Sequence, residues 1–287
     1  MFNRLLNRLP LTIIKIKIAA ILYRLVKIFV WNDHQIITRQ KIRYAVDLKE
    51  GLDLSLFLFG SFQKHVTHSA LYKIPADATI IDIGANVGLM SLQFAQMAPQ
   101  GKVYAFEPTD YAFGKLQKNL SLNPDLAQRI VVYKSFVSNQ EQEKAEIVAY
   151  SSWQVAGANS HDKHPVHLGS AMEASDTGST TLDAFVKEKQ LNRIDFLKID
   201  TDGHEFEVFG GAQATIKQFQ PVIVFEIGQY VMQEKGIDFS FYYQYLSPLG
   251  YKLYDSKSEK AITLTNYQDI IPRKGTIDII AIPAAKS

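Results

Sequence analysis

Short apolar runs alternate with stretches of helical periodicity along most of the chain after residue 78. Runs of this length predict buried strands, whereas apolar positions three and four residues apart predict helices. The predicted strands cover residues 78–83, 102–106, 129–133, 146–150, 194–199, 221–225, 251–255 and 275–282. The predicted helices cover residues 87–97, 110–120, 181–189, 204–209 and 213–219. This alternation predicts an α/β fold with a mainly parallel sheet that helices cover on both faces.

The first thirty residues follow a different pattern. One helical face of residues 11–31 carries the large apolar side chains Leu11, Ile14, Ile18, Ile21, Leu22, Leu25, Ile28 and Phe29. Lys17, Arg24 and Lys27 lie roughly opposite that face. The longest uncharged stretch, residues 18–23, is far shorter than the roughly 20 apolar residues of a membrane span. Residues 1–35 are therefore predicted to hold a basic amphipathic helix. It would either lie on an anionic membrane surface or pack on the body or on a second subunit.

The rest of the chain divides by composition. Residues 36–78 are interpreted as an extension that packs on the core, and residues 79–287 as one α/β domain. Within that domain, residues 151–180 are rich in Ser, Gly, Ala, Asp and His, which predicts a variable loop insertion near the acceptor site. Three histidines of this segment, at positions 161, 164 and 167, are interpreted as part of a polar loop rather than as a metal site.

Composition and charge narrow the possible functions. The 287 residues include no cysteine, which excludes a disulfide framework, a thiolate metal site and a cysteine nucleophile. Six of the 31 Lys and Arg residues lie in residues 1–32, which contain no acidic residue. The rest of the chain therefore has 25 basic and 29 acidic residues. The body has no basic excess to neutralise phosphates, so a nucleic-acid partner is not expected. We expect a cytoplasmic protein, with possible peripheral contact at the inner membrane surface through residues 1–31.

Polar or glycine-rich residues follow five of the predicted strands. They are residues 82–88, Glu107 and Pro108, Ser135 and Phe136, residues 200–205, and Glu226. In open parallel sheets, ligands bind beyond the carboxyl ends of the strands, near the point where the strand order reverses. The five strand ends are therefore predicted to form one ligand site.

The first of these segments reads DIGANVG, with a turn from strand to helix at Asp82, Gly84, Ala85, Asn86 and Gly88. Its glycines are four residues apart, unlike the G-x-G-x-x-G loop that holds a pyrophosphate. Asp82 would repel a pyrophosphate and suits a cationic ligand, whereas Glu107 at the next strand end can accept hydrogen bonds from ribose hydroxyls. These features predict a nucleoside cofactor with a cationic tail, and S-adenosylmethionine (SAM) has that chemistry. Pro108, Ser135, Phe136 and Asp200 are further expected contacts.

Five sequence blocks together resemble the FkbM family of SAM-dependent methyltransferases. The blocks are DIGANVG at 82–88, YAFEP at 104–108, TLDAF at 181–185, LKIDTDGHE at 197–205 and FEI at 225–227. The resemblance spans about residues 40–282. It implies the Rossmann-like class I methyltransferase fold, a seven-stranded sheet with one antiparallel strand near its end, and methyl transfer, usually to a hydroxyl oxygen of a sugar, polyketide or similar metabolite. Asp202 and Gln63 both stand where many members of the family have glutamate, and both departures bear on the substrate.

The expected reaction is O-methylation of a glycan, or of a glycosylated or lipid-linked metabolite. It needs an acceptor oxygen in line with the methyl–sulfur bond and a base for its proton. The candidate bases are Asp200, Asp202, His204 and Glu226. We favour Asp202 or His204, with Asp200 positioning the substrate or the methionine end of the cofactor.

Three alternatives bear on the same residues. Asp200, Asp202 and Glu226 are oxygen donors that could hold Mg²⁺, but acids at strand ends are common without a metal, and none is predicted. A nicotinamide-dependent oxidoreductase could use a related sheet, although its usual third glycine is missing here. A catalytically inactive methyltransferase fold could serve as a binding module.

Overall fold

The computed structural model describes residues 11–145, 149–150, 171–172, 174 and 177–284. Most of the predicted insertion at 151–180, including its three histidines, lies outside the described residues, as do residues 146–148 of a predicted strand.

The helices of the described part are α1 (Leu11–Val26), α2 (Gly51–Phe59), α3 (Lys64–Thr67), α4 (Leu89–Met97), α5 (Asp110–Ser121), α6 (Pro124–Ala127), α7 (Leu182–Glu188), α8 (Glu205–Gly210), α9 (Gln213–Phe219), α10 (Gln229–Glu234), α11 (Phe239–Leu246) and α12 (Tyr267–Ile270). A single 3₁₀ turn at Ser247–Leu249 follows α11.

The strands are β1 (His34–Arg39), β2 (Ile42–Asp47), β3 (Thr79–Ile83), β4 (Lys102–Phe106), β5 (Ile130–Tyr133), β6 (Phe136–Val137), β7 (Ala149–Tyr150), β8 (Ala171–Met172), β9 (Ser179–Thr180), β10 (Phe196–Ile199), β11 (Val222–Ile227), β12 (Tyr251–Asp255), β13 (Ala261–Ile262) and β14 (Ile277–Pro283).

The central sheet has the strand order β13-β12-β14-β11-β10-β3-β4-β5. Strand β14 runs antiparallel to both of its neighbours, β11 and β12, while β10, β3, β4, β5 and β11 pair in parallel. The predicted seven-stranded, mostly parallel sheet is thus confirmed. The eighth strand, the two-residue β13 at the edge, was not expected. The described residues of the strand predicted at 146–150 form β7, which pairs with β8 outside the central sheet.

Hydrophobic cores cover both faces of the sheet, which explains why its strands are apolar at almost every position. On one face Ile80 and Val103 pack among Phe94, Leu116 and residues of the N-terminal extension. On the other face Leu197 and Phe225 pack among apolar residues of helices α7 to α11.

A β1–β2 hairpin and three helices precede the sheet. The hairpin turns at Gln40 and Lys41, which both adopt positive φ, at 50° and 68°. Its second strand is tied to the sheet domain by two buried amides: Asn119 Oδ1 accepts from the N–H of Ala45 at 2.8 Å and Asn123 Oδ1 from that of Arg43 at 2.9 Å. These bonds use backbone groups that would otherwise form an unpaired strand edge.

Helix α1 packs against the body, but not through the face that the sequence singles out. Ala19, Tyr23, Val26 and Val30 are partly buried against the core. The predicted apolar face is largely exposed: Ile18, Ile21 and Leu25 are each more than half exposed, although Leu22 of the same face is partly buried beside Leu54 and Leu58. A search of the described helices finds none with the length and apolar content that crossing a membrane requires.

Candidate active site

A cleft opens at the carboxyl ends of β3, β4 and β10. Strands β3 and β10 are neighbours, and the chain order runs in opposite directions on either side of them, so the cleft lies at the switch point of the sheet. It encloses about 1080 Å³, counting the solvent space at its mouth. Its lining includes Gly84, Ala85, Asn86, Glu107, Pro108, Thr109, Tyr111, Ser135, Phe136, Lys198, Asp200, Thr201, Asp202, His204, Glu50, Leu52 and Phe62.

The turn between β3 and α4 forms the floor of the cleft. A Cβ atom on Gly84 would lie 1.7 Å from the carbonyl oxygen of Asp200, and Gly84 adopts φ +77°. Glycine is therefore required here by the neighbouring β10 loop as well as by the backbone conformation. The amides of Gly84 and Ala85 both donate to the carbonyl oxygen of Phe106, at 3.0 and 2.9 Å.

The remaining polar groups of this turn are also held by the protein. The amide of Asn86 donates to Glu107 Oε2 at 2.9 Å, and that of Gly88 donates to the carbonyl oxygen of Ala85 at 2.9 Å. A pyrophosphate site presents free backbone N–H groups to its ligand. The amides of Gly84, Ala85, Asn86 and Gly88 all donate to protein acceptors, so these four are not available to a pyrophosphate.

Glu107 is a buried carboxylate fixed by short hydrogen bonds. Its Oε1 accepts from the amide and the hydroxyl of Thr109, at 3.0 and 2.6 Å, and its Oε2 accepts from the amide of Asn86. Burial raises the pKa of Glu107, although these three donors and the charge of Lys198 oppose the shift. A carboxylate has about four lone-pair sites, so Oε2 retains room for one further donor.

A buried lysine lies between two carboxylates below the centre of the cleft. Lys198 Nζ lies 3.2 Å from Asp200 Oδ2 and 3.5 Å from Asp82 Oδ1. Burial favours its neutral form, but the charges of Asp200 and Asp82 outweigh burial and raise the pKa of Lys198. One lysine side chain therefore contacts two carboxylates in this group.

Asp82 contacts the protein rather than the cleft. It is fully buried, its Oδ2 accepts from Ser91 Oγ at 2.5 Å, and its Oδ1 has no hydrogen-bond partner closer than the 3.5 Å approach of Lys198. The expectation that Asp82 faces a ligand is not what the structure shows. The reason is that the Asp82 carboxylate is enclosed by Lys198 and Ser91. Sequence patterns alone could not place these two side chains beside Asp82.

The turn after β10 presents the acidic residues. Glu205 is buried and its Oε1 accepts from the amide and hydroxyl of Thr201, at 2.8 and 3.1 Å, and from the amide of Gly203 at 3.3 Å. The Glu205 carboxylate therefore stabilises the turn through these three hydrogen bonds. Asp202, at its tip, adopts φ 54° and lines the cleft. Aspartate and asparagine tolerate that left-handed conformation better than other non-glycine residues.

His204 also lines the cleft, with both ring nitrogens engaged. Nδ1 lies 2.8 Å from Glu207 Oε2, and Nε2 lies 3.3 Å from Lys235 Nζ on the segment after α10. Burial alone would raise the pKa of Glu207, but its hydrogen bond with His204 and the charge of Lys235 together lower it. Because an ammonium can only donate, Lys235 fixes Nε2 as the acceptor and Nδ1 as the donor to Glu207.

Glu226 stands apart from the cleft lining. Its Oε1 accepts from Thr276 Oγ1 at 2.6 Å, and it pairs across the sheet with Asp278, which lies 2.5 Å from His65 Nε2. Burial and the charges of Asp200 and Asp278 raise the pKa of Glu226 well above its usual range. A general base must reach the proton that it removes, so Glu226, which does not line the cleft, is a weaker candidate for that role than the sequence suggested.

Within the described part of the chain, no group of three or more His, Cys, Asp or Glu side chains is arranged to hold a metal ion. Asp200 is paired with Lys198, and Glu226 with Thr276, rather than converging with Asp202 on one point. The donor set therefore does not fit the Mg²⁺ site that these three residues could have formed.

Most of the predicted site residues line one cleft. These are Gly84, Ala85, Asn86, Glu107, Pro108, Ser135, Phe136, Asp200, Asp202 and His204, whereas Asp82, Gly88 and Glu226 do not line it. Sequence analysis missed the contribution of the N-terminal extension. Glu50 lines the cleft and accepts a hydrogen bond from Tyr111 at 2.8 Å. No local motif marks Glu50, because it reaches the site only through the packing of α2 on α5.

Comparison with known proteins identifies the family. The model of the methyltransferase FkbM domain matches residues 82–253, more than half of the chain. The chain belongs to the FkbM methyltransferase family. The function class of the chain is therefore methyl transfer. Membership of this family argues against the alternative of a nicotinamide-dependent oxidoreductase.

Individual relatives of this FkbM-family chain are distant. Methyltransferase sdnD of Sordaria araneosa is 24% identical over 200 residues, covering 58% of this chain and 75% of that protein. The 2-O-methyltransferase NoeI of Sinorhizobium fredii is 26% identical over 193 residues, covering 59% of this chain and 76% of that protein. A solved FkbM methyltransferase from Methylobacillus flagellatus is 16% identical with a TM-score of 0.49, and the match covers 77% of this chain and 48% of the solved chain.

Proposed function

We propose that the cleft binds SAM and that the chain transfers its methyl group to a hydroxyl oxygen of a glycan, or of a glycosylated or lipid-linked metabolite. The observation that carries the proposal is the chemistry of the cleft floor. The amides of Gly84, Ala85, Asn86 and Gly88 donate to protein acceptors, while two carboxylates, Asp82 and Asp200, flank the single cation Lys198 at the cleft. Such a floor suits a ligand that has a cationic centre and no phosphate.

The residues present fit that cofactor at three points. Glu107 Oε2 has room for one more donor, as a ribose hydroxyl would supply. Asp200 keeps about a quarter of its side chain exposed beside the floor, where a carboxylate can bind an α-amino group. Ser135 and Phe136 follow β5, the neighbour of β4 in the sheet, and line the cleft, where they could contact the base of the nucleoside. When bound, SAM supplies an electrophilic sulfonium methyl group.

The acceptor oxygen needs a base, and we assign that role to Asp202. It lines the cleft at the tip of a turn that Glu205 holds in place. His204 is less suited, because the ammonium of Lys235 lies at the one ring nitrogen with a lone pair, where a transferred proton would be repelled. We propose that His204, oriented by Glu207, positions the acceptor by hydrogen bonding.

Oxygen is the proposed acceptor atom for two reasons. A carboxylate base suits an alcohol, which must lose a proton as the new bond forms. The relative NoeI is named as a 2-O-methyltransferase. The family resemblance supports a glycan or a lipid-linked metabolite as the acceptor. This acceptor class is the most specific part of the proposal.

Incubation of the protein with radiolabelled SAM and separated glycan, lipid and protein fractions tests the proposal. Label should pass into a glycan or lipid fraction, in a bond that resists the mild base that hydrolyses methyl esters. Asp202→Asn is the matched control and should bind SAM without transferring label. Bound SAM with no transfer to any fraction would instead support a catalytically inactive binding module, and failure to bind SAM would refute the assignment of the cleft.

A further inference from the structure

An apolar stripe runs along the outside of the N-terminal segment. Ten large hydrophobic side chains are exposed in the described part of the chain, and six of them lie between residues 18 and 31. They are Ile18, Ile21, Leu25, Ile28, Phe29 and Trp31, here called the outer stripe. Phe29 is 82% exposed and Trp31 is 91% exposed, so their rings are almost wholly in solvent. Contiguous exposed apolar surface of this kind marks an interaction site.

The body of the protein does not need the outer stripe for packing. Helix α1 is already attached through its other side, where Tyr23, Val26 and Val30 pack on the core. Polar contacts reinforce this attachment: Tyr23 Oη donates to Asp33 Oδ1 at 3.0 Å, and Lys27 Nζ lies 3.0 Å from the same oxygen. The helix is thus fixed by one face and presents a second apolar face to the outside.

The charge of the segment indicates what covers the stripe. Residues 1–32 contain six Lys and Arg residues and no acid. Arg24 is exposed on α1 beside the stripe. Two copies of this segment would bring like charges together, which disfavours self-association through the stripe. An anionic lipid surface offers apolar chains and phosphate groups at once, as basic amphipathic helices require.

We propose that the outer stripe inserts into the headgroup region of an anionic membrane, with α1 lying along the surface. The aromatic ring of Trp31 is of the type that favours that interface. This inference is independent of the proposed reaction, since it concerns binding to lipid and not turnover.

Docking by the outer stripe would bring the cleft close to the lipid surface. Ile18 and Leu22 of α1 form an apolar groove with Leu58 and Phe59 at the end of α2. Leu52, at the start of the same helix α2, lines the cleft. One helix of nine residues, roughly 13 Å long, therefore separates the lipid-facing segment from the cleft.

Vesicle cosedimentation of the full chain tests the proposal. The probes are phosphatidylcholine vesicles with and without phosphatidylglycerol, at low and high salt. We expect binding to the anionic vesicles that weakens at high salt and little binding to the neutral ones. Leu25→Gln with Ile28→Gln should weaken binding by about tenfold or more. Ile36→Gln with Leu264→Gln replaces two exposed apolar side chains outside the stripe and should change binding by less than about twofold.

Arg24→Gln separates the charge from the apolar contact. It should weaken binding to anionic vesicles by about fivefold and leave the small affinity for neutral vesicles unchanged. Three results would overturn the proposal: no binding to anionic vesicles at low salt, equal loss in the stripe variant and its matched control, or a dimer in sedimentation velocity that the stripe variant dissociates while neither protein binds vesicles. Circular dichroism of each variant confirms that the fold is retained.

Discussion

The two walls of the cleft are built in different ways. The cofactor wall, residues 82–88 and 107–109, is held by backbone amides that donate to nearby carbonyl and carboxylate oxygens. The acceptor wall, residues 201–207, relies on side chains: Glu205 accepts from Thr201 and Gly203 within the turn, and His204 contacts Glu207 and Lys235. The first wall has little freedom to change its shape, whereas the second can be altered one side chain at a time. The comparison predicts that substitutions in the first affect folding and cofactor affinity and those in the second affect turnover.

The largest effect is expected for Gly84→Ala on the cofactor wall. The new methyl group would meet the carbonyl oxygen of Asp200 at 1.7 Å, and neither backbone can move without breaking a strand pair. We expect the free energy of unfolding to fall by about 4 kcal/mol or more, or the protein not to fold. Urea denaturation followed by circular dichroism measures it.

Two other glycines separate the cost of the left-handed backbone from the cost of the close contact with Asp200. Gly236 has φ +69° with nothing within 4 Å of a Cβ atom, so Gly236→Ala should cost only the left-handed backbone, about 1–2 kcal/mol. Gly114 lies inside α5 with open space around it, and Gly114→Ala should stabilise the protein by about 0.5–1 kcal/mol. If Gly84→Ala costs no more than Gly236→Ala, the close contact with β10 does not constrain the turn.

The difference between parts held by the backbone and parts held by side chains also explains what the sequence could predict. Strands β4 and β12 and helix α9 have the predicted bounds, because local periodicity determines them. The β1–β2 hairpin was missed because its turn is Gln40-Lys41 rather than the Asn-Gly pair that marks such turns. The strand-end residues were found because the parallel topology alone brings them to one edge of the sheet.

What the sequence could not supply was the pairing of side chains. Asp82 was expected in the site, but Lys198 and Ser91 enclose it. Glu50 reaches the cleft from an element that has no recognisable motif. The apolar periodicity of residues 11–31 correctly predicted the helix α1. The helix nevertheless packs on the body through a different face, which carries smaller and aromatic residues that include Ala19 and Tyr23. Periodicity identifies a helix face but not which surface it contacts.

On the acceptor wall, Asp202→Asn should lower kcat by about 100-fold or more, since it removes the proposed base. Asparagine tolerates the same left-handed backbone as aspartate, so the turn should keep its shape. The dissociation constant for SAM should change by less than about threefold, because in the proposal Asp202 faces the acceptor and not the cofactor. Single-turnover kinetics and calorimetry measure the two quantities.

His204→Gln tests whether the base has been assigned to the correct neighbour. Because both ring nitrogens are engaged by Glu207 and Lys235, we expect kcat to fall by less than about tenfold. Glu207→Gln should reproduce that modest loss if His204 acts by positioning. A larger fall in kcat for His204→Gln than for Asp202→Asn would reverse the assignment.

Glu107→Gln returns the comparison to the cofactor wall, where the effect is expected on binding rather than on turnover. The affinity for SAM should fall by about tenfold, since a neutral amide replaces a charged acceptor, while kcat at saturating SAM changes little. Burial raises the pKa of Glu107, so protonation should weaken SAM binding as the pH falls, beginning above the usual Glu range. Calorimetry against pH should show this acid limb in the native protein and in Glu188→Gln, an exposed control on α7, but not in Glu107→Gln. An acid limb that persists unchanged in Glu107→Gln would show that protonation of Glu107 does not control SAM binding, which would contradict its role on the cofactor wall.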